Sequence, residues 1–155
     1  MADIVSIRKP TMSLSLTTAN TIITAALAHA KAASFKPLGI VVLDSRATVK
    51  VASIADGSSL ARFDIARAKA KGALSFNMGT RSLEKLAKER PHFFAGAVAA
   101  IEGGIVPVAG GVLIKDKDGT ILGAVGVSGD TSDNDEIAAL AGVAAADLIG
   151  DGGQG

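Results

Sequence analysis

Gly110-Gly111-Val112-Leu113-Ile114, Lys115-Asp116-Lys117-Asp118-Gly119-Thr120 and Ile121-Leu122-Gly123-Ala124-Val125-Gly126-Val127-Ser128-Gly129 follow one another without a break. Two apolar runs flank Asp118-Gly119, and a glycine there accepts the positive φ that a tight hairpin turn needs. The stretch therefore reads as strand, turn, strand. Gly123, Gly126 and Gly129 weaken an ordinary strand, so a ligand, a helix or another chain is expected to approach the backbone closely there.

Downstream, Asp133-Asn134-Asp135-Glu136 opens a helix, with Asp133 and Glu136 at capping-box spacing. Ile137, Leu140, Ala141, Ala144 and Leu148 form its expected inner stripe. Residues 151–155 read as a glycine-rich, mobile tail. Upstream of the hairpin, residues 105–108 read as a brief strand that Pro107 confines to an edge.

Towards the N-terminus, Thr17 or Thr18 can cap a helix running to about residue 34, with Ala19, Ile22, Ile23, Ala26, Leu27 and Ala30 on one face. Residues 38–44 (LGIVVLD) form an apolar, β-branched run expected to be a central strand, and residues 48–54 return as its partner. A helix over residues 59–76 turns Phe63, Ala66, Ala70, Ala73 and Leu74 inward and ends at Gly79. Two shorter helices follow, over residues 82–90 and 92–101, separated by Pro91. Residues 1–15 show no firm period, contain Pro10 and are expected to form an arm or a partner contact. The order of elements favours one α+β domain spanning residues 1–155, its core at about 16–148, with a mostly antiparallel sheet.

Composition narrows the function. Sixteen basic residues against fifteen acidic ones leave a formal charge of +1. No long basic run appears, so charge does not indicate a nucleic-acid partner. The absence of cysteine excludes disulfides, thiol nucleophiles and thiolate metal sites. No apolar run reaches membrane-spanning length, and no basic head precedes an apolar signal core, so a cytoplasmic protein is expected. Five phenylalanines are the only aromatic residues besides histidine. A core of small aliphatic side chains buries little area per residue, and self-association is the expected remedy.

The segments resemble the GlcG/HbpS family, whose members include haem-binding and haem-degrading domains. The resemblance is carried by Gly110-Gly111-Val112, Gly123-Ala124-Val125-Gly126-Val127-Ser128-Gly129 and Asp135-Glu136-Ile137-Ala138, with support from Val41-Val42-Leu43-Asp44, Asp56-Gly57 and Ala66-Arg67-Ala68-Lys69-Ala70. It covers about residues 16–148. It implies a profilin-like fold, a five-stranded antiparallel sheet with helices on both faces. It also implies a homo-oligomer, often an octamer, and for some members the binding of haem or a related tetrapyrrole. Other relatives act as lyases on small aromatic acids such as hydroxylaminobenzoate. Leu113 stands where relatives often have proline, Arg46-Ala47 where they often carry a glycine pair, and Ile54-Ala55 where an Arg-Met type pair is usual.

Among candidate site residues, His29 near the end of the first helix can ligate haem iron, or be a surface cation favoured at a helix C-terminus. His92 is a second possible ligand, but no HxH or HxxxH spacing exists. Gly126, Ser128 and Gly129 border an expected crevice floored by bare main chain, where the following helix N-terminus can hold a carboxylate or simply cap itself. Lys69 and Arg62 share one side of their helix and can clamp a carboxylate. Asp44 can act as a base or accept turn amides, and Glu102 is a further carboxylate with a helix-end role as its alternative. In an enzyme, Asp44, Lys69 and a histidine would carry the chemistry. Nucleotide binding is not expected, because the glycine runs lack the lysine and spacing of a phosphate loop.

Overall fold

A computed structural model describes residues 13–155. Most of the arm expected over residues 1–15 lies outside that range. Helix α1 (Leu16–Ala32) leads into strands β1 (Gly39–Asp44) and β2 (Val49–Ile54). Helices α2 (Arg62–Phe76), α3 (Thr80–Glu89) and α4 (Pro91–Ala100) follow. Then come β3 (Gly111–Lys115), β4 (Ile121–Ser128), α5 (Ser132–Ala145) and β5 (Ile149–Asp151). The sheet is five-stranded with order β2-β1-β4-β3-β5, every pair antiparallel. The fold is α+β, as expected.

Strand parity sorts the core into two layers. Ile40, Val42, Val112, Ile114, Val125 and Val127 pack beneath α1 and α5. Val41, Leu43, Leu113 and Ala124 face Ala66, Ala70 and Ala73 of α2. With both faces covered, β1 needs apolar residues throughout, which is why LGIVVLD does not alternate. The β3–β4 ladder slips between Ile114 and Lys115, which pair with Gly123 and Ile121. Leu122 is the extra residue, and this bulge lets it join Val125 and Val127 in the α1/α5 layer. At the hairpin tip Gly119 has φ 82°, and the Asp116 carboxylate accepts from the amides of Asp118 and Thr120, both at 2.9 Å.

The glycines of the hairpin admit a helix. A Cβ on Gly126 would lie 1.8 Å from the carbonyl oxygen of Ala66, and one on Gly111 would lie 2.4 Å from that of Lys69. The backbone of α2 thus rests on the backbones of β4 and β3. Of the three visitors the sequence allows, the helix is the one present at Gly126, and the expected open crevice there is filled.

Several local expectations are corrected. Residues 105–108 form no strand: Pro107 lacks a donor, and Ile105 turns its side chain onto Gly72 of α2. The fifth strand is β5, which pairs Leu113 with Asp151, Ile114 with Gly150 and Lys115 with Ile149. The tail expected to be mobile is tied down. The Lys115 ammonium holds the Asp151 carboxylate at 2.8 Å, Arg81 N–H donates to the Gly152 carbonyl, and Gln154 N–H donates to the Ser82 hydroxyl at 2.7 Å. In α5 the buried residues are Asp135, Ala138, Ala139, Gly142 and Val143, on nearly the opposite face to the expected stripe, and Ile137 is 45 % exposed. The small residues let α5 press on α1, where a Cβ on Gly142 would approach the Ile22 carbonyl to 2.5 Å.

Caps shift as well. Ser15 caps α1 rather than Thr17 or Thr18, and Thr131 caps α5 rather than Asp133. Asn77, at φ 52°, ends α2 rather than Gly79.

Because the seat of α2 leaves no room for a side chain, Gly126→Ala is expected to destabilise the protein by about 1–3 kcal/mol. Gly96→Ala, whose Cβ meets nothing of its own chain within 4 Å, serves as the control and is expected to lose no stability, alanine being the better helix former. Thermal unfolding of the two variants checks this. A Gly126→Ala protein that melts with the wild type would contradict the seating of α2.

Candidate functional site

Four segments converge at the C-terminal end of β4: the start of α2, β4 itself, the turn after it and the start of α5. Lys69 lies on the face of α2 turned to the sheet and is 2 % exposed. Its ammonium donates to the Val127 carbonyl at 2.9 Å and to Asp135 Oδ2 at 3.1 Å. Asp135 Oδ1 accepts from the Asp130 amide at 2.9 Å. Two turns earlier on α2, Arg62 Nη1 donates to the Ser128 hydroxyl at 3.0 Å. Burial pushes the Lys69 ammonium down from its ordinary pKa and the Asp135 carboxyl up, each opposed by the charge of the other. The pair is therefore an internal clasp joining α2, β4 and α5.

The turn closes around Asp130. Its carboxylate accepts from the amides of Lys36 at 2.6 Å and Thr131 at 2.7 Å and from the Asn134 side chain at 2.8 Å. Those hydrogen bonds, the Lys36 amide foremost, hold its pKa at about 2, below the ordinary 3.8. Asp130, Asp133 and Asp135 all stand at the N-terminus of α5. Its dipole is thus complemented by the chain's own carboxylates, which oppose an incoming one.

The other candidate residues are dispersed. Gly126 lies under Ala66, Ser128 is buried against Arg62, and a Cβ on Gly129 would lie 2.2 Å from the Pro37 carbonyl. Asp44 Oδ1 accepts from the amides of Arg46 and Thr48 and shapes the β1–β2 turn. Asp44 pairs with Gly123, whereas Lys69 reaches Val127. Four residues of strand, roughly 13 Å, separate the two groups. His29 is exposed on α1, across the sheet from Lys69, and His92 is exposed at the start of α4. The structure does not bring Asp44, Lys69 and a histidine together. Glu102 is exposed after α4, where its carbonyl accepts from the Lys71 ammonium. Among the described residues, no group of three or more His, Asp or Glu side chains is placed to hold a metal ion.

Of the concave surfaces that remain, a shallow one of about 460 Å³ runs along the outer face of α1 over Thr17, Asn20, Thr21 and Thr24, and two others carry charged or aromatic groups. A cleft of about 230 Å³ opens beside the end of α1, lined by apolar residues, Phe35 among them, together with Lys31, Lys36 and Asp56. The imidazole of His29 meets the Phe35 ring edge-on, centroids 6.0 Å apart. The second is a charged groove of about 610 Å³ between α3 and the start of α5. Its Arg81 guanidinium bridges Asp133 at 2.6 Å and Glu136 at 3.0 Å. Sequence reasoning missed Phe35 and Arg81. Phe35 had a signal, being one of only five aromatic rings besides histidine. Arg81 had none, because its partners lie 52 and 55 residues away.

The family described as "Haem degrading protein HbpS-like" matches residues 14–144. The structure is similar to a PduOC:haem complex, with a TM-score of 0.80 at 22 % identity, covering 92 % of this chain and 100 % of that one. It is similar to a double mutant of Streptomyces reticuli HbpS, with a TM-score of 0.75 at 28 % identity, covering 93 % and 94 %. Klebsiella pneumoniae protein ORFY gives a TM-score of 0.78 at 21 % identity, covering 90 % and 95 %. No curated protein sequence matches. The PduOC and ORFY likenesses show the fold alone.

Removing one member of a buried pair strands the other, so Lys69→Ala is expected to cost roughly 3–5 kcal/mol, and Lys69→Met with Asp135→Leu much less. Urea unfolding of both proteins tests this, and equal losses would contradict the clasp. Asp130 sets an acid limb. Its folded pKa of about 2 lies below 3.8, so between those values the unfolded chain binds more protons and stability rises with pH. Asp130→Asn is expected to flatten unfolding curves across that window, and an unchanged slope would contradict the Lys36 contact.

Proposed function

We propose that this chain, which belongs to the HbpS-like haem-degrading protein family, is a self-associating small-ligand-binding protein whose ligand is haem or a related tetrapyrrole. One observation carries the reading. The exposed imidazole of His29 stands against Phe35, a ring that lines an apolar cleft. A tetrapyrrole asks for a nitrogen donor to its metal, an aromatic or aliphatic surface for its flat face and cations for its carboxylates. His29 is the donor, Phe35, Leu27, Pro37 and Leu38 are the apolar surface, and Lys31 and Lys36 are the cations. Haem would supply iron chemistry there, while these residues bind and orient it.

The cleft, at about 230 Å³, is smaller than the 300–1,000 Å³ usual for an enclosed ligand. It accepts one edge of a macrocycle, and a second copy of the chain is the natural cover for the rest. Self-association is supported by large apolar side chains left in solvent, Leu60 at 98 % exposure above all, with Leu16, Ile137 and Ile149 about half exposed. The alternative of a lyase acting on a small aromatic acid has no comparable support, since Asp44 and Lys69 are each engaged in holding backbone.

Haemin titration followed in the Soret band tests the proposal. A saturable shift is expected, with His29→Ala losing the iron-ligand signature and weakening binding by at least about tenfold, the low end of what even supporting residues cost at a metal. Phe35→Ala is expected to weaken binding without changing ligation. No shift in the wild type would overturn the haem reading, and a wild-type spectrum in His29→Ala would remove His29 from it.

A further inference from the structure

Helix α4 is apolar, yet its own chain covers it on one side only. The Phe94 ring stacks on Phe76 of α2 at 6.1 Å, and Ala97, Val98 and Ile101 follow on that side, half-buried. The opposite side carries His92, Phe93, Ala95, Gly96, Ala99 and Ala100, all exposed. No Lys, Arg, Asp or Glu stands on this outer face, where a solvated helix ordinarily has them. The charges stand at its two ends, Arg90 before the helix and Glu102 after it. Neither makes an ion pair among the described residues. The Arg90 guanidinium lies 4.4 Å from the centre of the Phe93 ring, along the outer face. The Lys71 ammonium, by holding the Glu102 carbonyl, fixes the other end on α2.

We propose that the outer face of α4 docks against the same face of a second copy, the two helices running antiparallel about a two-fold axis near Gly96. The inference rests on the self-association proposed above and adds one further surface to it. Charge selects the occupant. From the helix midpoint between Ala95 and Gly96, Arg90 and Glu102 stand roughly 8 and 10 Å away in opposite directions at 1.5 Å per residue. An antiparallel pair brings Arg90 of each copy to Glu102 of the other, whereas a parallel pair would oppose like charges at both ends. Ala95, Gly96 and Ala99 allow an axis separation near the short end of the 8–10 Å range, and a two-fold axis lets one patch serve both copies. Two helices about 15 Å long cover less than the roughly 1,200 Å² of a stable interface. This contact alone therefore dissociates on dilution.

Sedimentation of the full chain over a range of concentrations tests the proposal. The wild type is expected to associate, and Gly96→Arg to show a smaller mass at the same concentration while its far-ultraviolet circular dichroism stays that of the folded chain. Arg90→Glu and Glu102→Lys singly are expected to weaken association by roughly tenfold, two rim pairs being lost per dimer, and the double reversal to restore it. A wild type that is monomeric at every concentration would overturn self-association and this surface together. An associated wild type that Gly96→Arg and both single reversals leave unchanged would overturn the α4 surface alone.

Discussion

The backbone of α2 lies directly on the backbones of β3 and β4, and the rest of the architecture is arranged around that contact. Glycine at 111 and 126 makes the approach possible, because a methyl group at either position would overlap a carbonyl of the helix. Close approach then leaves no solvent between helix and sheet, so the polar groups caught in the seam must find partners there. Thr80 meets both backbone groups of Gly111, and Lys69 meets Val127 and Asp135. A seam of small residues gives little hydrophobic energy per residue. Dispersion contacts and satisfied polar groups take the place of bulk.

This arrangement decides where a ligand is able to go. The layer under α2 is closed by main chain, and the layer under α1 and α5 is filled by Ile, Val and Leu. Over β1, β3 and β4 neither face of the sheet is free, so concave surface is left beside and between the helices. One such place is the exit of α1, where Pro37 and the turn into β1 leave an apolar cleft beside Phe35. The proposed ligand surface is thus a by-product of how α1 joins the sheet, rather than of the glycine-rich strand.

Much of this was legible in the chain. The hairpin, the central strand over residues 38–44 and the inner face of α1 rest on local patterns that tertiary packing reinforced. The failures share one cause, dependence on partners distant in sequence. β5 exists because β3 offers an edge, and Ile149-Gly150-Asp151 has no strand signature of its own. α5 turns Asp135 inward because Lys69 waits there, and no period in its apolar residues announces that. Lys69 itself read as a solvated or ligand-clamping cation, since an amphipathic pattern cannot distinguish a lysine that snorkels from one that is clasped. Glycine in β4 showed that something comes close but not what, and the answer lay in the alanine run of α2.

Native-state hydrogen exchange of the unliganded chain tests the central claim most directly, namely that the α2 seam is the constraint that everything else depends on. The amides of residues 123–127 in β4 and 66–73 in α2 are expected to exchange slowest and together, opening only with global unfolding. Faster exchange there than in α1 and α5 would contradict the account, because the seam would then be opening while the opposite layer remained intact.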